Sequence, residues 1–361
     1  MKAAVLRELN TPLSIEEVVV DKPAPREVLV RTAAAGVCHS DMHFQEGLYP
    51  CAMPIVLGHE GAGVVEAVGA DVHYVEPGDH VITCVSIFCG QCKQCLEGNP
   101  HRCSKEGVTR QPADAPRLSQ GGGIVQQFME LSCFGEQMLV HENAVVKITK
   151  DVPLDRAALV GCGVTTGVGA VLNTARVEPG STVAVVGCGG IGLNAIQGAR
   201  LAGAQRIIAI DRVPSKLDLA TRFGATDTVN ATEGDTVEQV RELCGGGVDY
   251  SFEAIGLKET AEQCFEMLIP GGTATVIGMI PIGTMIELHG VDLLSEKKIQ
   301  GSNMGSNRFR IDMPNYIDLY LQGRLELDQL LSQRLSLDAI NEGFDAIKGG
   351  EVARSVVVMD G

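Results

Sequence analysis

A β-branched apolar run, Val183–Val186, passes without a break into Gly187-Cys188-Gly189-Gly190-Ile191-Gly192, and an apolar helical pattern follows. A G-x-G-x-x-G sequence between a strand and a helix leaves little freedom of interpretation. The first glycine permits a tight turn, the second lets a pyrophosphate approach the backbone, and the third lets the helix pack close on the strand. The free N–H groups at the helix start then face the phosphates. Glycine turns are common, so context decides. A second strand, Arg206–Ile210, ends in Asp211, roughly 20 residues on, where an acidic residue is expected to bond the adenosine ribose hydroxyls. The pattern predicts a dinucleotide site made by Gly187, Gly189, Gly190, Ile191 and Gly192 with Asp211; a purely structural glycine turn is the weaker alternative.

At 361 residues the chain exceeds the ~250–300 at which one hydrophobic core stops growing, so two domains are expected. A net charge of -16 argues against nucleic acid or an anionic membrane as a partner. The start, MKAAVLRELN, has no apolar signal region, and no run of about 18 uninterrupted apolar residues exists to span a bilayer. The expectation is a cytoplasmic protein. In that setting the 12 cysteines are expected to serve as metal ligands or buried thiols rather than disulfides.

Along the chain, residues 1–155 read as short strands, such as Ala3–Leu6, Ile15–Val20 and Val28–Ala34, punctuated by glycine and proline. Residues 104–128 form a long polar, Gly-rich stretch, read as a functional or interfacial loop. From about Thr165 the pattern alternates. Strands are expected at Val183–Val186, Arg206–Ile210, Val248–Phe252 and Thr273–Ile277. Helices are expected at Ile191–Leu201, Ser215–Phe223, Val237–Cys244 and Glu259–Leu268. Alternation of this kind implies right-handed crossovers and a doubly wound parallel sheet. After about Asn303 it fades into helices near Pro314–Gln322 and Leu337–Lys348 and a strand at Arg354–Met359, a tail expected to fold back onto the first domain.

Two groups of residues suggest metal. Cys89-x2-Cys92-x2-Cys95-x7-Cys103 places four thiolates on a short loop, enough to close a tetrahedron around Zn²⁺ with no position left for water. The second group is dispersed: Cys38, the pair His59-Glu60, and Cys162. Two thiolates and one imidazole are a ligand set that leaves a fourth zinc position open. Spacing alone does not show that these three meet, and a cysteine in an apolar stretch is usually a buried hydrophobe.

The motifs GVCHSDMH, GHEGAGVVEAVG, GDHVI, the Cys89–Cys103 lobe, GCGVTTG, GCGGIG and IIAID together resemble the zinc-dependent alcohol dehydrogenases of the medium-chain dehydrogenase/reductase superfamily, essentially from end to end. The resemblance implies an α/β chain with a GroES-like, mostly-β catalytic domain over 1–163 and 304–361. A Rossmann coenzyme domain, a doubly wound parallel sheet, would cover 164–303. Two zinc ions per subunit and NAD are the implied cofactors. Cys38, His59 and Cys162 match the ligands of the catalytic zinc, Glu60 a nearby carboxylate, and Asp41 the group that orients His59. Ser40 and His43 match a proton relay, and Cys89, Cys92, Cys95 and Cys103 the structural zinc lobe. His39 stands where many relatives carry an arginine against the pyrophosphate. Thr166 is expected near the nicotinamide and Arg354 near the pyrophosphate, with Arg212 and Lys216 close to Asp211. Asp211 favours NAD by repelling a 2′-phosphate, and Arg212 beside it is the contrary sign.

The implied reaction is reversible oxidation of an alcohol to an aldehyde or ketone, on a small-molecule substrate. Relatives that oxidise glutathione or mycothiol adducts of formaldehyde are the near alternative. Tyr49 falls at the position of the acidic residue that recognises glutathione, and no arginine is evident near Gly107. A zinc-independent NADPH reductase and a non-catalytic protein on the same scaffold are more distant alternatives, since both would lack part of the ligand set. Retention of the 104–128 segment suggests a homodimer rather than a tetramer.

Overall fold

The computed structural model describes residues 1–111, 113–350 and 353–359. The chain divides into two compact units, Met1–Cys162 with Arg308–Gly361, and Gly163–Asn307.

The first unit is built on one long strand, Glu27–Val37. It pairs antiparallel with Glu60–Val68, Gln137–His141 and Arg354–Val358. The full sheet continues through His80–Thr83 to Val145–Ile148 on one side and ends at Leu331–Leu335 on the other. The strand that closes the tail therefore lies beside the strand that ends at Val37, with Ser355 opposite Val37. A four-stranded sheet (Gln126–Gln127, Ile55–Val56, Lys2–Leu6, Ser14–Glu17) and a three-stranded one (Val19–Val20, Leu118–Gln120, Gly123–Ile124) complete the β structure. The inward faces meet in one core that includes Val30, Leu57, Phe128, Leu131, Phe134 and Met138.

Residues 104–128 are not the open loop that their composition suggests. The segment contributes three short strands, two of which form a hairpin across Gly121-Gly122. Two arginines hold it down. Arg110 and Arg117 reach the nearly fully buried Glu27 at 2.6 and 2.7 Å, Arg110 also pairs with Asp21 at 2.6 Å, and Arg117 with Glu130 at 2.6 Å. Burial alone would raise the Glu27 carboxyl, yet the hydrogen bonds from both guanidinium groups hold it down to about 2. Strands of two or three polar residues carry too little apolar alternation to be seen in a sequence.

The second unit holds six parallel strands in the order Asp227–Asn230, Arg206–Asp211, Thr182–Val186, Val248–Glu253, Leu268–Val276, Lys298–Gly301. Thr182–Val186 and Arg206–Asp211 are apolar and buried on both faces, as strands covered by helices on two sides must be. Ile208, Ile210, Val229, Val240, Phe265 and Leu268 belong to one core cluster. The helices run Gly190–Ala202, Pro214–Phe223, Thr236–Cys244 and Lys258–Glu266. The last of these stops before Leu268, which belongs to the next strand. The two outermost strands, DTVN and KIQG, are polar and short, so no periodicity announced them.

In the tail, the helix begins at Phe309 and carries Pro314 inside it, where a proline had suggested a helix start. Proline removes only one backbone hydrogen bond, and the rest of the helix tolerates it here. One stretch, Leu154–Ala175, is helical and apolar enough by length to cross a bilayer, but its most apolar window is 83% buried within the protein, as in a core helix.

Candidate functional site

The strand Glu27–Val37 delivers Cys38 at its end, where the chain turns into a short helix, His39–Gln45. His59 immediately precedes the strand Glu60–Val68, the neighbour of the first in the sheet. Cys162 comes from the helical run that follows Leu154–Leu159. These separate elements bring one ligand atom each of Cys38, His59, Glu60 and Cys162 within 4.8 Å of one another, all four residues buried.

Asp41 organises the group from within the helix. It is fully buried, and its Oδ1 lies 3.0 Å from His59 Nδ1 and accepts from Gly58 N–H at 3.1 Å, while Oδ2 accepts from Cys38 N–H at 3.2 Å. A carboxylate on Nδ1 fixes the tautomer and leaves the other imidazole nitrogen to a metal. Cys38 and Cys162 share a hydrogen bond, the largest influence on both. It holds the Cys38 thiol well below its ordinary value and, together with burial, pushes Cys162 well above.

Glu60 is buried at 0% exposure, and burial pushes its carboxyl up to about 8. Arg354 Nη1 stands 3.2 Å from its Oε1, without the alignment of a full hydrogen bond, so both Glu60 oxygens lack a hydrogen-bond partner among the described residues. Arg354 is itself 6% exposed and donates to Val37 O at 3.5 Å. Its placement against Glu60 follows from the register of the Arg354–Val358 strand, which sequence alone did not reveal. Gly36 is a second residue that sequence reasoning passed over. A Cβ there would stand 2.2 Å from Glu60 Oε2, so the strand must carry glycine for the carboxylate to fit. Only the buried environment shows this.

Ser40 and His43 lie on one face of the short helix, three residues apart. Ser40 Oγ is 3.7 Å from Cys38 Sγ. Burial lowers the His43 imidazole below its ordinary value, so it is neutral near pH 7 and able to take a proton. Its ring lies 6.2 Å from Tyr49, nearly parallel, and 6.3 Å from the exposed His39. Phe44 and Phe128 continue this aromatic group to the edge of His59, 5.9 Å from Phe128.

The second metal group is also assembled. Cys89, Cys92, Cys95 and Cys103 have their sulfurs within 4.8 Å of one another. Cys92 Sγ is 3.6 Å from Cys95 Sγ and 3.8 Å from Cys103 Sγ, close to the edge of about 3.8 Å expected for a tetrahedron with Zn–S bonds of about 2.3 Å. Backbone N–H groups of Cys89, Cys92 and Lys105 point at the sulfurs. The amides of Cys95 and Ser104 pull the Cys92 thiol down to about 6. Burial pushes the Cys95 thiol up to about 12 and Cys103 up as well, so the amides favour thiolate at only part of the group, while four sulfurs at this spacing suit a soft cation. Both donor sets fit zinc.

In the second unit, Gly187 takes φ +96°, a conformation that favours glycine. A Cβ on Gly192 would lie 1.7 Å from Gly187 O, whereas one on Gly189 would meet nothing within 4 Å. The third glycine therefore serves packing, while the second leaves its face open to a ligand. Gly190 opens the helix that follows, with Gly189 as its cap. Asp211, at the end of its strand, accepts from Cys188 N–H at 2.8 Å and from Val213 N–H at 3.0 Å, which places its carboxylate over the glycine turn. Arg212 is exposed and Lys216 half-buried in the next helix. Thr166 is buried, with Oγ1 3.5 Å from Met304 Sδ.

Comparison with known proteins finds similarity over nearly the whole chain. Residues 24–150 match the family described as alcohol dehydrogenase GroES-like domain, and residues 190–322 the family described as zinc-binding dehydrogenase. The chain is 40% identical to a class-3 alcohol dehydrogenase of Cereibacter sphaeroides and 39% identical to an S-(hydroxymethyl)glutathione dehydrogenase of Paracoccus denitrificans, each alignment covering 99% of both chains. Among solved structures it resembles benzyl alcohol dehydrogenase from Acinetobacter calcoaceticus, with a TM-score of 0.93 and 35% identity over 99% of both chains. A zinc-binding domain alcohol dehydrogenase from Burkholderia ambifaria gives 0.94 and 37% identity, over 100% of this chain and 99% of the other.

Proposed function

Because the chain belongs to the zinc-dependent alcohol dehydrogenases of the medium-chain dehydrogenase/reductase superfamily, and so oxidises an alcohol reversibly with zinc and NAD, we propose that Cys38, His59 and Cys162 hold the catalytic zinc. The buried convergence of these three with Glu60 inside 4.8 Å, with Asp41 on the free side of His59, carries this reading. Cys89, Cys92, Cys95 and Cys103 hold the structural ion. When bound, zinc supplies Lewis acidity that makes the hydroxyl proton of an alcohol easier to lose, and NAD supplies the hydride acceptor.

The residues around the metal manage charge and protons. Ser40 Oγ takes the hydroxyl proton, and neutral His43, one turn along the helix, passes it to solvent. Asp41 keeps His59 in the ligating tautomer. Arg354 stands against Glu60 beside the two cysteines. In the second unit, the Gly187–Gly192 turn and the helix it opens hold the pyrophosphate. Asp211 takes the ribose hydroxyls, with Arg212 and Lys216 at the edge of that site. His39, Thr166 and Arg354 complete the proposed cofactor contacts.

The substrate is a small alcohol or its aldehyde or ketone. The name of the Paracoccus relative favours a second reading, oxidation of an S-hydroxymethyl thiol adduct; Tyr49 in place of an acid weighs against it. NADH formation at 340 nm with ethanol, benzyl alcohol and S-(hydroxymethyl)glutathione separates the two. Turnover of the adduct alone would overturn the first reading, and no turnover of any of the three by protein carrying two zincs would overturn both.

Asp211→Gly should raise the use of NADP relative to NAD by roughly tenfold or more in kcat/KM, because the carboxylate no longer repels the 2′-phosphate. NAD binding should weaken at the same time, since Cys188 N–H loses its acceptor. An unchanged NAD/NADP ratio would count against the role given to Asp211.

A homodimer is the proposed assembly. Lys298–Gly301 is the outermost strand of the parallel sheet, and the preceding segment exposes Ile282, Met285 and Leu294 at 69%, 76% and 83%. An unpaired strand edge beside exposed apolar side chains is a surface that pairs with another chain. Sedimentation should give twice the mass of one chain, and a single-chain mass would refute it. Among the described residues no disulfide joins any of the 12 cysteines, in keeping with the cytoplasm proposed as the setting.

A further inference from the structure

In the second unit, the order of strands changes direction between Thr182–Val186 and Val248–Glu253. A dinucleotide binds outside the carboxyl ends of the strands at such a point. The walls there are the loops that follow the two strands, residues 187–189 and 254–257. Glu253 is the last residue of its strand and is fully buried. Its Oε1 accepts three hydrogen bonds, from Ile255 N–H at 2.9 Å, Gly256 N–H at 2.7 Å and Thr260 Oγ1 at 2.8 Å. Its main-chain carbonyl accepts from Ile277 N–H at 2.8 Å and Gly278 N–H at 3.1 Å. Oε2 has no hydrogen-bond partner among the described residues.

A buried carboxylate with one oxygen unpaired costs stability that an apolar side chain would not. Here the other oxygen determines the course of a loop. Three donors converge on it from the 254–257 loop and the first turn of the next helix, while the main chain of Glu253 joins the loop after Leu268–Val276. The approach is close: a Cβ on Gly278 would lie 2.1 Å from Gly256 N and 2.5 Å from Glu253 Oε2. The loop so held lies directly on the phosphate turn. Ala254 N–H bonds Val186 O at 2.9 Å, and Ile255 Cγ1 stands 2.5 Å from where a Cβ on Gly187 would be.

We infer that Glu253 is a positioning residue for dinucleotide binding, its buried carboxylate fixing the 254–257 loop against the Gly187 turn so that both walls of the crevice are preformed. The inference rests on the reading of that turn as the NAD site. If the wild-type protein gives no NADH fluorescence change at all, it is that reading which fails.

The test compares Glu253→Asp, which keeps the charge but withdraws the acceptor by one methylene, with Glu253→Gln, which keeps a carbonyl acceptor in place. Both are made in the full chain loaded with zinc. NADH Kd, read by fluorescence titration, should rise tenfold or more in Glu253→Asp, with the KM for NAD rising in parallel and zinc content and kcat unchanged. Glu253→Gln should stay within threefold of wild type. A Glu253→Asp variant that melts at a lower temperature yet binds NADH within twofold of wild type would show a merely structural role and overturn the inference. Should Glu253→Asp fail to fold, Thr260→Val removes one of the three donors and should raise the NADH Kd about threefold; an unchanged Kd there would overturn it equally.

Discussion

Cys162→Ala is expected to purify with one zinc per chain instead of two and to lose alcohol turnover by roughly a thousandfold or more, since bound zinc supplies several kcal/mol of charge stabilisation. Its melting temperature should change little. Cys162 is 4% exposed and small, so truncation leaves only a minor void. Elemental analysis and NADH formation read the two effects together. Retention of both zincs with turnover intact would remove Cys162 from the ligand set. Loss of turnover with both zincs retained would place its role elsewhere.

Cys92→Ala should act in the opposite order, on stability before chemistry. The α-helix in its lobe, Lys93–Leu96, has no buried residue, and Leu96 is 75% exposed. A loop with no apolar core is held by its metal. Removal of a sulfur that lies 3.6 and 3.8 Å from two others should release the ion, lower the melting temperature by roughly 5–10 °C, and open Lys93 and Arg102 to trypsin. The catalytic ligands lie outside the lobe, so turnover per correctly folded chain should persist at low temperature. A variant as resistant to heat and trypsin as the wild type would show that the lobe stands without metal.

These two expectations also show what the sequence could convey. The Cys89–Cys103 spacing is local, and a short loop leaves four sulfurs few places to go, so its geometry followed from spacing. The glycine turn was legible for the same reason: Gly187, Gly192 and Asp211 do their work within one strand–helix–strand unit. The convergence of Cys38, His59 and Cys162 was not a local property. It depends on antiparallel register between Glu27–Val37 and Glu60–Val68 and on a helical run far along the chain, and only the family resemblance joined the three. Arg354 on Glu60, Gly36 beneath Glu60, and Arg110 and Arg117 on Glu27 are contacts between distant positions with no periodic signal. The strands inside residues 104–128 are two or three residues long, below the length at which alternation becomes a pattern.

The pairing of Ser355 with Val37 has a consequence for how the molecule is made. The strand that ends at Cys38 obtains this neighbour only from a segment more than three hundred positions later, after the whole of 163–307 has been synthesised. A nascent chain can therefore wind its parallel sheet on the ribosome while the β unit still waits for its closing strand and for the guanidinium that balances Glu60. A chain stalled short of Arg354 would carry Cys38, His59 and Cys162 without the strand that completes their sheet.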